Sequence, residues 1–282
     1  MFDAIRQKVT LPSKKQDKYL KALHETVKAG WTSSKRLEKI VGYLVWASYA
    51  EPFGRPFISA ISVYISRGSP QRRIRICGDI DTAIKIWIAI LERNEGISFS
   101  YILNEMAYAD EEWFVDASTT WGIGGCAGSN YFLVPNDDLR ELYELVENAP
   151  KTDSPQLRKS GLPIAYIELI AALAAFSVFS HLNRNKLIIL NRDNTDVVAW
   201  LRKGRCSKGI GFKLLAGIEY FKRVHNLKIS PKHIPGRFNN SADSLSRGIV
   251  PGWLDTHGTC MPVSVGMLCS ILRSPLGFWI TR

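Results

Sequence analysis

From residue 13 to about residue 105 the apolar positions recur every three or four residues, the period of helices laid on a core. "SKKQDKYLKALHETVKAG" opens on a cap-like serine, runs as a basic amphipathic segment and stops at Gly30. In "TSSKRLEKIVGYLVWASYA", Thr32 or Ser33 can cap a helix whose Leu37, Ile40, Val41, Leu44, Val45 and Ser48 line one face. "PFGRPF" breaks the pattern, because each proline holds the residue before it in extended geometry. "ISAISVYISRG" and "DIDTAIKIWIAILERNEG" resume it as two more helices, the second capped by Asp79 or Asp81. Between them "RRIRIC" alternates like a short exposed strand or an extended linker.

Past residue 111 the period changes to two. "EEWFVDAS", "TWGIGGCAG" and "NYFLVP" read as three consecutive strands, with glycines where turns or close backbone approach are needed. A polar stretch, roughly 136–160, follows: "NDDLRELYELVEN" reads as a surface helix and "APKTDSPQLRKSG" as a loop. "LPIAYIELIAALAAFSVFSHL" is a long apolar helix whose small stripe, Ala171, Ala172 and Ala175, lets it lie close on a sheet. "KLIILNRDN" is a buried-type strand, "TDVVAWLRKGR" and "GFKLLAGIEYFKRVHNL" are helices, "KISPKHI" is a last strand and "NNSADSLSRG" a closing helical turn. This order defines an α/β fold with a mixed sheet, preceded by a mainly helical domain. The boundaries fall at 1–105, 108–248 and a tail, 249–282.

Composition changes this picture little, but charge changes it more. At 282 residues, 46% hydrophobic and 22% charged, the chain has the make-up of an ordinary globular protein. Five scattered cysteines with no CxxC pair argue for a reducing, intracellular compartment (cytoplasm or nucleus) and against a disulfide framework or a zinc site. "MFDAIRQKVT" lacks the apolar core of a signal peptide, and the apolar tail is broken by Pro262, Arg273 and Pro275, so no membrane is expected. The net charge of +11 divides unevenly: +7 over 1–105, −7 over 106–183, +10 over 184–247 and +1 over the last 35 residues. Two basic blocks around an acidic one suit a polyanion whose phosphates straddle a carboxylate site.

Four acids sit where chemistry can use them. Asp116 lies in a strand made otherwise of Trp113, Phe114 and Val115, a costly place for an unpaired charge. Glu168 lies in the most apolar helix, Asp193 ends an apolar strand, and Asp243 begins the closing helix. In an open α/β sheet, strand ends and helix starts converge on one edge. Each acid alone has a plain structural role: Asp193 as a helix cap, Glu168 facing solvent, Asp243 balancing a helix dipole. Together they make a hard-oxygen set suited to Mg²⁺ or Mn²⁺. Two such ions about 4 Å apart activate a water and stabilise the leaving oxygen of a phosphodiester. His233 can then move a proton or assist product release, or be an ordinary surface histidine. Trp200 can pack against a sugar or sit in the core.

"VDASTTWGIGG", "IELIAAL", "DNTDVVAWLRKG" and "KHIPGRFNNSADSLSRG" resemble, in order and context, the ribonuclease H domain of retroelement reverse transcriptases, most of all DIRS-like and related retrotransposons. The resemblance covers about 108–248. It implies a five-stranded mixed sheet flanked by helices and cleavage of the RNA strand of an RNA–DNA hybrid. It also implies two Mg²⁺ or Mn²⁺ ions held by Asp116, Glu168, Asp193 and Asp243, with His233 as a mobile-loop histidine. Asn194, of the "DNT" motif, and Asn239, in the place of a polar residue four before the last aspartate, become substrate-binding positions. Arg202, Lys203, Arg205 and Lys208 become contacts to the phosphates of the hybrid. "LPSKKQDKYLKAL", "LEKIVGYLVWAS" and "GRPFISAI" resemble the thumb and connection of the same enzymes, and a polymerase part of the same element becomes a possible partner. Nothing resembles the polymerase "YxDD" turn, so no DNA synthesis is expected of this chain alone.

This sequence departs from the family at Asn191-Arg192, which precede Asp193 where a threonine or serine is common. Arg192 can lower the pKa of the neighbouring ligand or compete with metal for it. Two other readings stand beside the nuclease. One is a non-catalytic nucleic-acid-binding or assembly module supporting a separate polymerase subunit. The other is an integrase-like or resolvase-like nuclease on the same fold.

Overall fold

Two short strands, β1 (Phe2–Asp3) and β2 (Lys8–Val9), lead into helix α1 (Ser13–Ala29), which Gly30 ends in the left-handed conformation at φ 68°. The computed structural model describes residues 1–3, 7–65, 72–98, 109–147, 163–206 and 211–280. They form two compact units, 1–106 with 274–282, and 107–273. In the first unit, β3 (Trp31–Ser33) and β4 (Arg73–Arg75) make an antiparallel pair, so "RRIRIC" holds a strand. Helices α2 (Ser34–Ala47), α3 (Arg55–Ile65) and α4 (Asp79–Arg93) complete it, and β5 (Ile97–Ser98) joins β2 to form a second small sheet.

Capping follows the sequence only in part. Ser33 caps α2, accepting from the Arg36 amide at 3.2 Å. Ser13 does not cap α1, because Pro12 holds the cap position and makes Ser13 the first helical residue. Gly78, not Asp79 or Asp81, precedes α4, and the two acids occupy its first turn, where they favour the helix dipole. The buried face of α2 is narrower than its periodicity suggests: Leu37, Ile40, Leu44 and Ser48 are buried, but Val45 is 46% exposed. Trp87 is fully buried, and a Cβ on Gly54 would come within 2.6 Å of its ring. The chain's last helix, Pro275–Ile280, belongs here through Trp279, whose ring meets Phe57 edge-on at 5.4 Å.

The second unit is built on a six-stranded mixed sheet. Its strands are β6 (Glu111–Ala117), β7 (Gly122–Ala127), β8 (Asn130–Pro135), β9 (Leu187–Arg192), β10 (Lys228–His233) and β11 (Thr259–Cys260), in the order β10-β9-β6-β7-β8-β11. Strands β6, β9 and β10 run parallel, β6-β7-β8 is an antiparallel meander, and β11 lies parallel to β8. The sheet therefore has six strands where five were expected. β11 pairs only Thr259 with Asn130 and Cys260 with Tyr131, too short a run to carry an apolar period.

Helices cover both faces. Among the described residues these are α5 (Arg140–Glu147), α6 (Ile164–Phe179), α7 (Thr195–Lys203), α8 (Gly211–Val224), α9 (Asn240–Ser246), α10 (Gly252–His257) and α11 (Val265–Arg273). Trp113 of β6 meets Phe176 and Phe179 of α6 edge-on at 5.2 and 5.5 Å. Its neighbour Phe114 packs on the opposite face with Leu245 of α9, as strand alternation requires. Ala171, Ala172 and Ala175 are fully buried in α6, the small stripe the sequence presents. With the turn after it, α6 forms a segment, Ile164–Leu182, long and apolar enough to cross a membrane, but most of it is buried in this unit.

The expected tail is divided. Residues 249–273 belong to the second unit, where α11 buries Leu268, Cys269, Ile271 and Leu272, and 274–282 belong to the first. The loop expected at "APKTDSPQLRKSG" lies outside the described residues.

Candidate metal centre

Three parallel strands bring their C-terminal ends to one edge of the sheet. Phe114 pairs with Asn191 in the register of β6 and β9, so Asp116 and Asp193, two residues further along each, emerge side by side. Glu168, in the second turn of α6, approaches from the helix layer. One carboxylate oxygen from each of Asp116, Glu168 and Asp193 lies within 4.8 Å of the others. Oxygens on a single octahedral Mg²⁺ are up to about 4.2 Å apart, so small side-chain adjustments would complete a ligand set. Asp116, Glu168 and Asp193 can hold a metal.

Each acid is placed for a local reason. Asp116 faces Gly124 across β6 and β7. A Cβ on Gly124 would lie 2.6 Å from the Ser246 amide nitrogen, so only glycine lets α9 settle this close to the sheet. That approach brings the fully buried Ser246 hydroxyl to donate to Asp116 Oδ2 at 2.6 Å. Ser246 was not among the expected site residues, although it lies within the quoted "ADSLSRG" motif. Asp193 does not cap α7: Asn194 does, its Oδ1 accepting from the Asp196 and Val197 amides at 3.1 and 3.2 Å. Asp193 keeps an exposed carboxylate.

Burial dominates the electrostatics of the two inner acids. Asp116 is 5% exposed and Glu168 4%. The Asp116 carboxyl is held above its usual range by burial, against the lowering effect of the Ser246 hydroxyl. Burial pushes Glu168 up to about 7, although the neighbouring Arg192 pulls it down. Arg192, with no exposed surface, pairs with the Glu168 carboxylate and donates to the Glu168 carbonyl at 2.6 Å. The expectation put Arg192 on its neighbour Asp193. Strand alternation turns it instead toward α6 and Glu168.

The fourth expected ligand is near Asp116 but outside the 4.8 Å group. Asp243 lies in the first turn of α9 but is not part of the three-carboxylate group. Its Oδ1 accepts from Nε and Nη2 of Arg247, one turn along the helix, at 2.9 and 2.8 Å. His233 ends a strand rather than riding a loop, opposite Arg192 in the register of β9 and β10. Its Nε2 lies 3.1 Å from the Asp193 carbonyl oxygen. A carbonyl only accepts, so Nε2 carries the hydrogen and Nδ1 is the basic nitrogen.

The expected substrate contacts separate into bound and free groups. Asn239 is 1% exposed and its amide donates to the Val115 carbonyl at 3.2 Å, which ties the approach to α9 onto β6, while its Oδ1 has no hydrogen-bond partner among the described residues. Asn194 spends its oxygen on the helix cap. Arg202 is exposed but its Nε donates to the Pro231 carbonyl at 3.0 Å, whereas Lys203 and Arg205 are exposed. Lys208 lies outside the described residues. Trp200 is half-buried, its ring tilted against Tyr166 at 5.7 Å.

Comparisons with protein-family models, with curated proteins and with solved structures gave no match.

Proposed function

We propose that this chain is a metal-dependent endoribonuclease that cuts the RNA strand of an RNA–DNA hybrid, on a ribonuclease H-like fold. The observation that carries the reading is the meeting of Asp116, Glu168 and Asp193 from a strand, a helix and a second strand end within 4.8 Å. A mixed sheet with helices on both faces agrees with it, as does the excess of basic residues around an acidic segment.

Asp116, Glu168 and Asp193 are the residues that would hold Mg²⁺ or Mn²⁺. When bound, such a cation supplies Lewis acidity toward a phosphodiester oxygen and offsets its developing charge. The protein's own groups do the rest. Ser246 fixes the orientation of Asp116 through its hydrogen bond. His233 presents Nδ1 at the edge of the centre as a proton carrier. Lys203 and Arg205, exposed beside α7, meet backbone phosphates. A polymerase part of the same element stands as the expected partner.

The test is a labelled RNA–DNA hybrid with Mg²⁺ or Mn²⁺, comparing the full chain with Asp193→Asn. The expected result is RNA cleavage in the hybrid alone, abolished by chelator and by the variant. One observation favours the alternative, a non-catalytic binding module: Arg192 already occupies Glu168. Tight hybrid binding with no cleavage by a folded chain would decide for that module.

A further inference from the structure

We infer that Arg192 is a built-in cation of the metal centre, so that the site takes one divalent ion where the carboxylates alone would call for two. The inference rests on the proposed metal-dependent reading and concerns how many ions that centre holds.

The first argument is charge. Asp116, Glu168, Asp193 and Asp243 bring four negative charges to one edge of the sheet. Arg192 on Glu168 and Arg247 on Asp243 return two positive charges. The remainder is −2, the charge one Mg²⁺ or Mn²⁺ balances. A second divalent ion would leave an excess of positive charge beside buried groups, where the low dielectric penalises it most.

The second argument is the ligand supply. Two ions about 4 Å apart need carboxylates that reach both. Among the described residues only Asp116, Glu168 and Asp193 converge within 4.8 Å, and Glu168 gives one oxygen to a guanidinium. The fourth acid has its Oδ1 held by Nε and Nη2 of Arg247.

The third argument is the state of Arg192 itself. It has no exposed surface, and its Nε and Nη1 have no hydrogen-bond partner among the described residues. A permanent charge buried with two unpaired donors stabilises the fold less than an apolar side chain of similar volume would. Its guanidinium is held against the Glu168 carboxylate and carbonyl, where it supplies a fixed positive charge beside the three converging acids. No serine or threonine in that position could do so.

The experiment counts bound Mn²⁺ by equilibrium dialysis on the full chain without nucleic acid, at about pH 7.5. Expected are about one ion per chain for the unmodified protein and for Arg192→Lys, which keeps the charge. Arg192→Gln, shown to be folded by circular dichroism, is expected to take about two, with magnetic coupling between them in the Mn²⁺ spectrum. Two ions on the unmodified chain, two on Arg192→Lys, or a single ion on folded Arg192→Gln each overturn the inference while leaving a metal-dependent nuclease standing. No ion on the unmodified chain overturns both together. If Arg192→Gln does not fold, the counts on the unmodified chain and Arg192→Lys still decide.

Discussion

Among single residues, Glu168 carries the most consequence. Its carboxyl is lifted to about 7 from an ordinary 4.5 by burial. The metal-free folded chain therefore holds this proton more tightly than the unfolded chain does. A raised carboxyl costs stability above its folded pKa, and the cost fades as pH falls through about 7 toward 4.5. Asp116 is shifted in the same direction and adds to the effect. In chelator, stability is expected to rise on acidification across this window, by on the order of 2 kcal/mol from Glu168. Urea denaturation at a series of pH values measures it, and Glu168→Gln should flatten the profile. An identical slope in both proteins would rule out Glu168 as its source. Asn194 gives a second test. As the cap of α7 it should cost about 1 kcal/mol when replaced by alanine. Hybrid affinity should be almost unchanged, since its oxygen is spent on backbone amides. A large loss of affinity at unchanged melting temperature would restore Asn194 as a substrate contact.

Between elements, the decisive fit is that of α9 against β7. A side chain on Gly124 would meet the backbone of α9 at Leu245 and Ser246, and neither is the loose end of a flexible side chain. Gly124→Ala should therefore push α9 off the sheet, costing about 1–3 kcal/mol. It should also draw Ser246 away from Asp116. The expected outcome is a lower melting temperature together with weaker Mn²⁺ binding, read by thermal denaturation and by ion titration. Gly42 has nothing within 4 Å of its missing Cβ. The same substitution there is the control, and it should leave both measurements near their starting values. If Gly124→Ala binds Mn²⁺ normally, α9 does not set the geometry of the centre.

For the molecule as a whole, the tail expected after Gly248 contributes to the folded units. Residues 249–273 supply the edge strand β11 and the buried face of α11. Gly217 of α8 leaves room for Ile271, and Arg273 pairs with Glu141 of α5. Each fully buried apolar side chain of this kind contributes about 1.5–3 kcal/mol. A chain truncated after Gly248 loses Leu254 as well as the four of α11 and should fail to fold cooperatively, with a dye for exposed apolar surface reporting the change. Truncation after Arg273 should spare the second unit and its Mn²⁺ binding. Cooperative unfolding of the shorter chain at an unchanged temperature would show that α11 is dispensable.

The sequence by itself determined the classes of element and the acids worth following. The change of period from helical to alternating near residue 111 is a local property of the chain, and so are the apolar strand around Asp116, the strand end at Asp193 and the apolar setting of Glu168. Ser33 could be read as a cap because capping depends on neighbours a turn away. Tertiary structure decided what depends on distance across the sheet. It gave Arg192 to Glu168, 24 residues away, rather than to its neighbour. It gave Ser246 to Asp116, 130 residues away. It also added a sixth strand two residues long and divided the tail between the two units. The physical reason is common to all four: a local pattern records which way a side chain must face, while the partner it meets is fixed only when separate segments pack.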